Sequence, residues 1–486
     1  MTVDLSPLFE PRGVIVAGAS THPGKFGFVS LHNILTCGYQ GNVFGLGREA
    51  GEVLGVPVVD GADQIPEGAA DLVFVCTPPA ANEQLIRDVA ARGVRAVFMA
   101  AGGYSEAGPE GEVAEESLIA LCNELGLIIA GPNGQGVVSP PAGLCAQIVA
   151  PYPPRGHIAI ASQSGNFVSS FQNYASQTGI GVSRAVSAGN AAQLGIVDYL
   201  DWFAEDDETA VSLIYVEGIE DGREFYERAA AVARVKPIVV LKGGASAGGQ
   251  RAAASHTGAL ATDDAVFDGM CRQAGLIRAA NVEDAFEAAA TFATQPMPSG
   301  NRVAVLTSVG GWGVLTADAM ADSTLELVDL PADLHQALDD RLPPRWSRNN
   351  PIDMAGGETR DTIPEVMDLI CAHPDIDSLV FLGLGIQSNT AALMRSGPFY
   401  PEHGLERIVD FHERQDARYA TSAAEISARH QKPILVATEL AVAAPDNAGV
   451  VAARESGRLC YAAADRAVRA LDAMTRYATH RSRRGI

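Results

Sequence analysis

A chain of 486 residues exceeds what one hydrophobic core serves and sets an expectation of about three domains. Its apolar fraction of 47% and charged fraction of 19% are ordinary for a globular protein, and its net charge of −23 argues against nucleic acid and anionic membranes as partners. Seven scattered cysteines without a CxxC pair indicate neither a disulfide framework nor a zinc site; no apolar run is long enough to span a membrane and the N-terminus lacks a signal-type apolar core, so a soluble cytoplasmic protein is expected.

In the first segment, apolar runs at Val14–Ala17, Leu72–Cys76, Ala96–Ala100 and Leu127–Ala130 alternate with helical stretches at Ala81–Arg92 and Glu110–Leu125. Strands alternating with helices predict a parallel sheet. Each strand empties into a turn: Gly18-Ala-Ser, Thr77-Pro-Pro, Ala101-Gly-Gly-Tyr104 or Gly131-Pro-Asn-Gly134. These turns are expected along one sheet edge, forming a single crevice. The proline-rich stretches at 139–143 and 151–156 read as a linker.

The second segment has strands at His157–Ala161, Val211–Val216 and Pro237–Leu241 and closes near Thr294–Gly300, a further linker signal. The third opens with the strand Arg302–Thr307, continues through Leu379–Gly383 and Pro433–Ala437, and ends in a helix at Ala463–Tyr477. All three segments read as doubly wound α/β. The stretch Ser388–Arg429 reads as an insertion with an amphipathic helix: a substrate lid, a subunit contact or a surface decoration.

The glycine turns carry the chemistry. The run Gly18-Ala-Ser-Thr-His-Pro-Gly-Lys-Phe-Gly27 lies between a strand and a helix, where free amides accept phosphate. It departs from G-x-G-x-x-G, and a tight turn that merely needs glycine is the plain alternative. Arg48, after the second strand, suits a phosphorylated ribose and leaves an NADP-dependent oxidoreductase open. The junction Ala161-Ser-Gln-Ser-Gly-Asn166 lacks the first glycine of an esterase elbow, so Ser164 is read with Ser162 and Gly165 as an anion-binding helix start. Thr307-Ser-Val-Gly-Gly-Trp-Gly313 repeats the device with Gly310, Gly311 and Gly313. Between them the strand at 237–241 empties into a loop of small residues carrying His256 between Ser255 and Thr257. Two helix ends and a histidine loop describe a phosphohistidine site; a surface histidine is the alternative.

The motifs Gly18-Ala-Ser-x-x-Pro-Gly-Lys-x-Gly27, Gly131-Pro-Asn-Gly-x-Gly136, Ser162-Gln-Ser-Gly165, Val216-Glu-Gly218, Ser255-His-Thr-Gly-Ala259, Gly310-Gly-x-Gly313 and Asn350-Pro-Ile-Asp353 stand in one order. That order resembles the NDP-forming (ADP-forming) acyl-CoA synthetases, relatives of succinyl-CoA synthetase, over nearly the whole chain. The resemblance implies a Rossmann-like CoA-binding domain over 1–140 and two flavodoxin-like doubly wound parallel-sheet domains over 151–296 and 300–486. It implies an α-type acid–CoA ligase subunit in which His256 carries phosphate from ATP to a carboxylic acid and CoA receives the acyl group. Glu217 would fix the imidazole tautomer. Ser162, Ser164, Gly165, Gly310, Gly311 and Gly313 would bind phosphate, without a protein-held metal. Gly18, Ala19, Ser20, Lys25, Gly27, Thr77 and Pro78 would cradle CoA, with Asn133 and Gly134 at its thiol end.

Three departures qualify it: Gly45-Leu-Gly-Arg48 replaces an Asn-Pro turn, Trp312 replaces a small residue, and no ATP-grasp module is read. A separate ATP-grasp β-type subunit binding ATP/ADP and Mg²⁺ is therefore expected, in a hetero-oligomer; a homodimer is the other assembly considered. An idle CoA-binding regulatory protein is the rival reading.

Overall fold

The computed structural model describes residues 2–149, 151–219, 221–246, 248–249, 251, 263–356 and 361–485. The chain forms two units, Met1–Gln177 with Gly181–Ala285, and Phe286–Ile486 with Thr178–Ile180.

Buried runs rich in Val, Ile and Phe build the strands of the first sheet. Its order is Gly51–Val53, Val56–Val59, Asn42–Leu46, Gly13–Ala17, Leu72–Val75, Ala96–Met99 and Ile128–Ala130. Only Gly51–Val53 runs antiparallel to its neighbour. Side chains alternate across a strand, and the cores follow. Val14 and Val16 pack with Leu31 and Ile34 of the helix Phe26–Thr36. Ile15 and Ala17 pack with Ile86 and Val89 of Asn82–Ala90 and with Leu118 and Leu121 of Pro109–Leu125. Helices thus cover both faces, as a doubly wound sheet requires. Ala17 pairs with Leu46 and with Val75, Val75 with Met99, and Phe98 with Ala130. The strands therefore end level, and the four turns leave the same edge.

The same unit holds a second sheet, ordered Ile277–Ala279, Ile238–Lys242, Val211–Val216, Arg155–Ser162, Val182–Ser187, Gly136–Ser139 and Leu144–Gln147. The first five strands are parallel. The last two form an antiparallel hairpin on Val182–Ser187. The proline-rich passage at 139–143, expected as linker, is the turn of that hairpin. The strand Val182–Ser187 escaped sequence reading because Ser183, Arg184 and Ser187 break its apolar run. Arg184 is nonetheless fully buried, held by Asp206 and by Ser139 and Glu10, with Trp202 under its guanidinium. A disulfide joins Cys37, after the helix Phe26–Thr36, to Cys145 in the hairpin, with Cα atoms 6.0 Å apart. This corrects the sequence expectation: a separation of 108 residues gives no local signal.

In the second unit Glu326–Leu327, Arg302–Thr307, Ser378–Leu382, Ile434–Ala437 and Cys460–Tyr461 line up in parallel, and Ile352–Asp353 also pairs with Arg302–Thr307. The stretch 388–429 lies in two helices, Ile386–Arg395 and Leu405–His430. Tyr419, Ala420, Ala423 and Ile426 are buried in the unit's core. It is the crossover between two adjacent strands rather than a surface decoration. Among the described residues no helix is long and apolar enough to cross a membrane.

Candidate active site

At the edge of the first sheet, Gly18 turns the chain with φ +87°, and the amides of Gly18 and Ala19 donate to the Leu46 carbonyl at 2.8 and 3.1 Å. The left-handed conformation there suits glycine. A Cβ on Gly27 would lie 2.0 Å from the Gly18 carbonyl oxygen, so glycine lets the helix Phe26–Thr36 begin against the strand end. That helix has no side-chain cap and no acidic residue in its first turn. The amides of Phe26 and Gly27 find no acceptor among the described residues. Ser20 accepts the His22 amide at 3.1 Å and Lys25, exposed, precedes the helix. These free amides, the ammonium and the cradle that a Cβ would fill fit a phosphorylated ligand such as CoA. Arg48 is exposed on the turn after Leu46.

Thr77 donates to Asn82 Oδ1 at 2.6 Å, and Asn82 donates to the Tyr104 phenol at 2.7 Å, so a buried network ties the Thr77-Pro78 turn to the Gly102-Gly103 turn. Burial pushes the Tyr104 phenol up, with Asn82 opposing. Gly103 and Tyr104 donate their amides to Glu106 Oε1. Asn190 donates to Glu106 Oε2 at 2.7 Å and Glu115 Oε2 at 2.8 Å. Burial raises the Glu106 pKa, but the donors from Asn190 and Gly103 outweigh it and hold the carboxyl below its ordinary value. Asn133, with φ +61°, donates its amide to Ala101 O at 3.1 Å. A Cβ on Gly134 would meet Phe98 Cζ and Ser187 O at 2.7 Å. Asn133 and Gly134 thus stand where the edges of the two sheets of this unit meet.

The second sheet supplies the next group. Ser162, wholly buried at the end of its strand, donates to Ser164 O at 2.6 Å and accepts the Ser164 amide at 3.1 Å. This turn launches the helix Gly165–Thr178, where a Cβ on Gly165 would strike Gln135. The amide oxygen of Gln163 accepts the backbone N–H of Glu217 and that of Gly218, and its Nε2 donates to Gly218 O at 3.0 Å. Glu217 is 8% exposed. Its Oε1 accepts the Tyr215 phenol at 3.2 Å, while Oε2 is buried with no donor among the described residues. Beside it the strand Ile238–Lys242 ends, and the chain returns at Asp264, whose Oδ1 lies 3.8 Å from Lys242 Nζ. His256 and the motif through Ala259 lie outside the described residues.

In the second unit the same turn recurs. Thr307, fully buried, donates to Val309 O and accepts the Val309 amide, both at 2.9 Å. The helix Gly310–Ala321 follows without a side-chain cap. A Cβ on Gly310 would lie 2.5 Å from Asp353 Oδ2 and one on Gly313 3.1 Å from Pro351, whereas Gly311 faces open space. Asn350 accepts the Val305 amide and donates to Val303 and Val328, which explains its place in the Asn350-Pro-Ile-Asp353 motif as a filler of the strand ladder. Trp312 is half-buried and makes no ring contact among the described residues.

Sequence reading missed Gln163, Tyr215 and Asn190. Tyr215 carried a usable signal, since residues i and i+2 of one strand share a face with Glu217. Asn190 carried none, because its partners are contributed by the other sheet.

Three family models match the chain: a CoA binding domain over residues 12–140, a succinyl-CoA ligase like flavodoxin domain over 155–292 and a Ligase-CoA domain over 303–390. The chain is 34% identical over 384 residues to the α subunit of the ADP-forming acetate–CoA ligase I of Pyrococcus furiosus, covering 78% of this chain and 83% of that protein. It is 34% identical over 370 residues to ADP-forming acetate–CoA ligase I of Archaeoglobus fulgidus, covering 76% of this chain and 53% of that protein. Among solved structures, the dinucleotide-forming acetyl-coenzyme A synthetase 1 of Ca. Korarchaeum cryptofilum, in complex with phosphate and ADP, matches with a TM-score of 0.83 at 32% identity. That match covers 99% of this chain and 98% of the other.

Proposed function

The chain belongs to the family of ADP-forming acid–CoA ligases, and on that premise we propose that it is the α-type subunit that carries the phosphoryl group on His256. In synthesis, His256 takes the γ-phosphoryl of ATP and ADP leaves. A carboxylate oxygen of the acid then attacks phosphorus, the P–N bond breaks and an acyl phosphate forms. The acyl carbon passes to the thiol sulfur of CoA with loss of phosphate, closing the thioester.

The observation that carries this reading is Glu217. Its buried carboxylate has one oxygen held and the other without a donor among the described residues, an arrangement that is costly unless a donor arrives. The single N–H of a neutral histidine ring is such a donor, and accepting it fixes the tautomer whose other, bare nitrogen takes phosphate. Ser162, Ser164 and Gly165 then receive the phosphoryl group at one helix start, and Gly310, Gly311 and Gly313 at the other; the amides of Gly165, Gly310 and Gly311, without an acceptor among the described residues, offset its charge without a mobile cation. Gly18, Ala19, Ser20, Lys25 and Gly27 hold the phosphates of CoA, Thr77 and Pro78 line its path, and Asn133 and Gly134 border its thiol.

ATP and Mg²⁺ bind an ATP-grasp partner subunit in this reading. Two facts support a partner: the Pyrococcus relative is an α subunit, and the single Archaeoglobus chain is covered over only 53% of its length. Dependence on ATP and CoA puts the assembly in the cytoplasm. Acetate is the first carboxylic acid to test, because the Pyrococcus and Archaeoglobus relatives are named for it.

The test runs the chemistry backwards on the full chain. Acetyl-CoA, radiolabelled phosphate and Mg²⁺ give an acid-labile phosphoprotein, and His256→Ala gives none. Label that persists in His256→Ala, or full thioester synthesis by that variant with its partner, overturns the assignment; a wild-type chain that takes no label and supports no synthesis is an idle binding protein.

A further inference from the structure

Tyr215 and Glu217 lie two residues apart at the end of the strand Val211–Val216, so their side chains leave the same face. Both are buried, at 7% and 8% exposure. The Tyr215 phenol oxygen lies 3.2 Å from Glu217 Oε1 and is the donor, since a carboxylate only accepts. The ring cannot drift. It is stacked on Phe167, in the first turn of the helix Gly165–Thr178, with centroids 4.0 Å apart and planes at 26°. Gly243 leaves room for the hydroxyl, because a Cβ there would sit 2.5 Å from the phenol oxygen and 3.4 Å from Glu217 Cγ. The backbone on the far side is pinned by Gln163, whose amide oxygen takes the N–H of Glu217 and of Gly218.

Gln163 fixes the Glu217 Cα, Tyr215 fixes one carboxylate oxygen, and Oε2 remains without a donor among the described residues. We propose that Tyr215 is a positioning residue for the phosphoryl-transfer reaction: its O–H holds Glu217 in the one rotation that leaves Oε2 free for the imidazole N–H. The proposal rests on the reading of Glu217 given above. Burial, with the Glu217 charge beside it, pushes the Tyr215 phenol well above its ordinary range, so it stays a donor at any working pH. Phe167 gives the device a second use, since the ring that orients Glu217 also packs on the helix whose start is assigned to the phosphoryl group.

The test is a double-mutant cycle on the full chain, read as the initial rate of phosphoprotein formation from acetyl-CoA and phosphate. Tyr215→Phe keeps the ring and its stack, so the melting temperature and the Kd for CoA stay near wild type. It loses one hydrogen bond to a charged group, and the rate falls about 10- to 100-fold. In a Glu217→Gln background Tyr215→Phe adds little further loss, because the phenol acts only through the carboxylate. Gly243→Ala reaches the same phenotype by displacing the hydroxyl with the tyrosine intact. A wild-type rate in Tyr215→Phe, or full additivity with Glu217→Gln, overturns the proposal. A wild-type rate in Glu217→Gln sinks instead the reading of Glu217 itself, so the two failures are distinguishable.

Discussion

Replacing Gly27 by alanine tests whether the first turn holds the phosphates of CoA. The new Cβ would lie 2.0 Å from the Gly18 carbonyl oxygen and 2.7 Å from its carbon. Both atoms are backbone, so no side chain can yield, and the helix Phe26–Thr36 must retreat by about 1 Å. The overpacking costs about 1–3 kcal/mol of stability. The retreat also carries the amides of Phe26 and Gly27 out of reach of an anion bound at the turn. Loss of one amide bond to a charged phosphate, worth about 1.5–3 kcal/mol, weakens binding by about tenfold to a hundredfold. Titration calorimetry with CoA measures this directly, and dephospho-CoA shows which phosphate the turn holds. Gly51→Ala is the control, because its Cβ would meet nothing within 4 Å. If Gly27→Ala binds CoA as tightly as the wild type, the cradle is not where the phosphates lie.

Ser162→Ala and Thr307→Val each strip a buried hydroxyl that serves a carbonyl and an amide of its own turn, and each is expected to cost about 1–3 kcal/mol in chemical denaturation; a cost below ~0.5 kcal/mol contradicts the turn geometry. Burial raises the Asp416 pKa against the opposing Ser388 N–H. The folded state therefore binds that proton more tightly than the unfolded chain, and ionisation costs stability above the folded pKa but not below about 3.9. Asp416→Asn is expected to raise Tm at pH 7 and to lose the advantage as pH falls towards 4; a pH-independent difference refutes it. Cys37→Ser removes the link to Cys145 and is expected to cost about 2–4 kcal/mol under oxidising conditions while abolishing the response of Tm to dithiothreitol.

The doubly wound sheets were legible because parallel strands read as unbroken apolar runs ended by glycine or proline, as at Gly13–Ala17 and Ala96–Met99. What escaped had non-local causes. Val182–Ser187 hides a buried arginine whose partners lie on other elements, and 139–143 reads as linker until the strands on either side of it pair with each other and Gly136–Ser139 pairs with Val182–Ser187. The helix Leu405–His430 read as part of an insertion, open to being a lid, a subunit contact or a decoration, because its apolar stripe is sparse among charges, though that stripe closes the core. At the site, the turns were visible as motifs, whereas the hold of Tyr215 and Gln163 on Glu217 depends on side-chain geometry that spacing does not report.

The central claim is that one imidazole carries the phosphoryl group, and peptide mapping by mass spectrometry under alkaline conditions tests it most directly. After incubation of the full chain with acetyl-CoA, phosphate and Mg²⁺, the added phosphate should be found on His256 alone. Phosphate on a serine of the Ser162–Ser164 turn, or on any residue other than His256, would contradict the account.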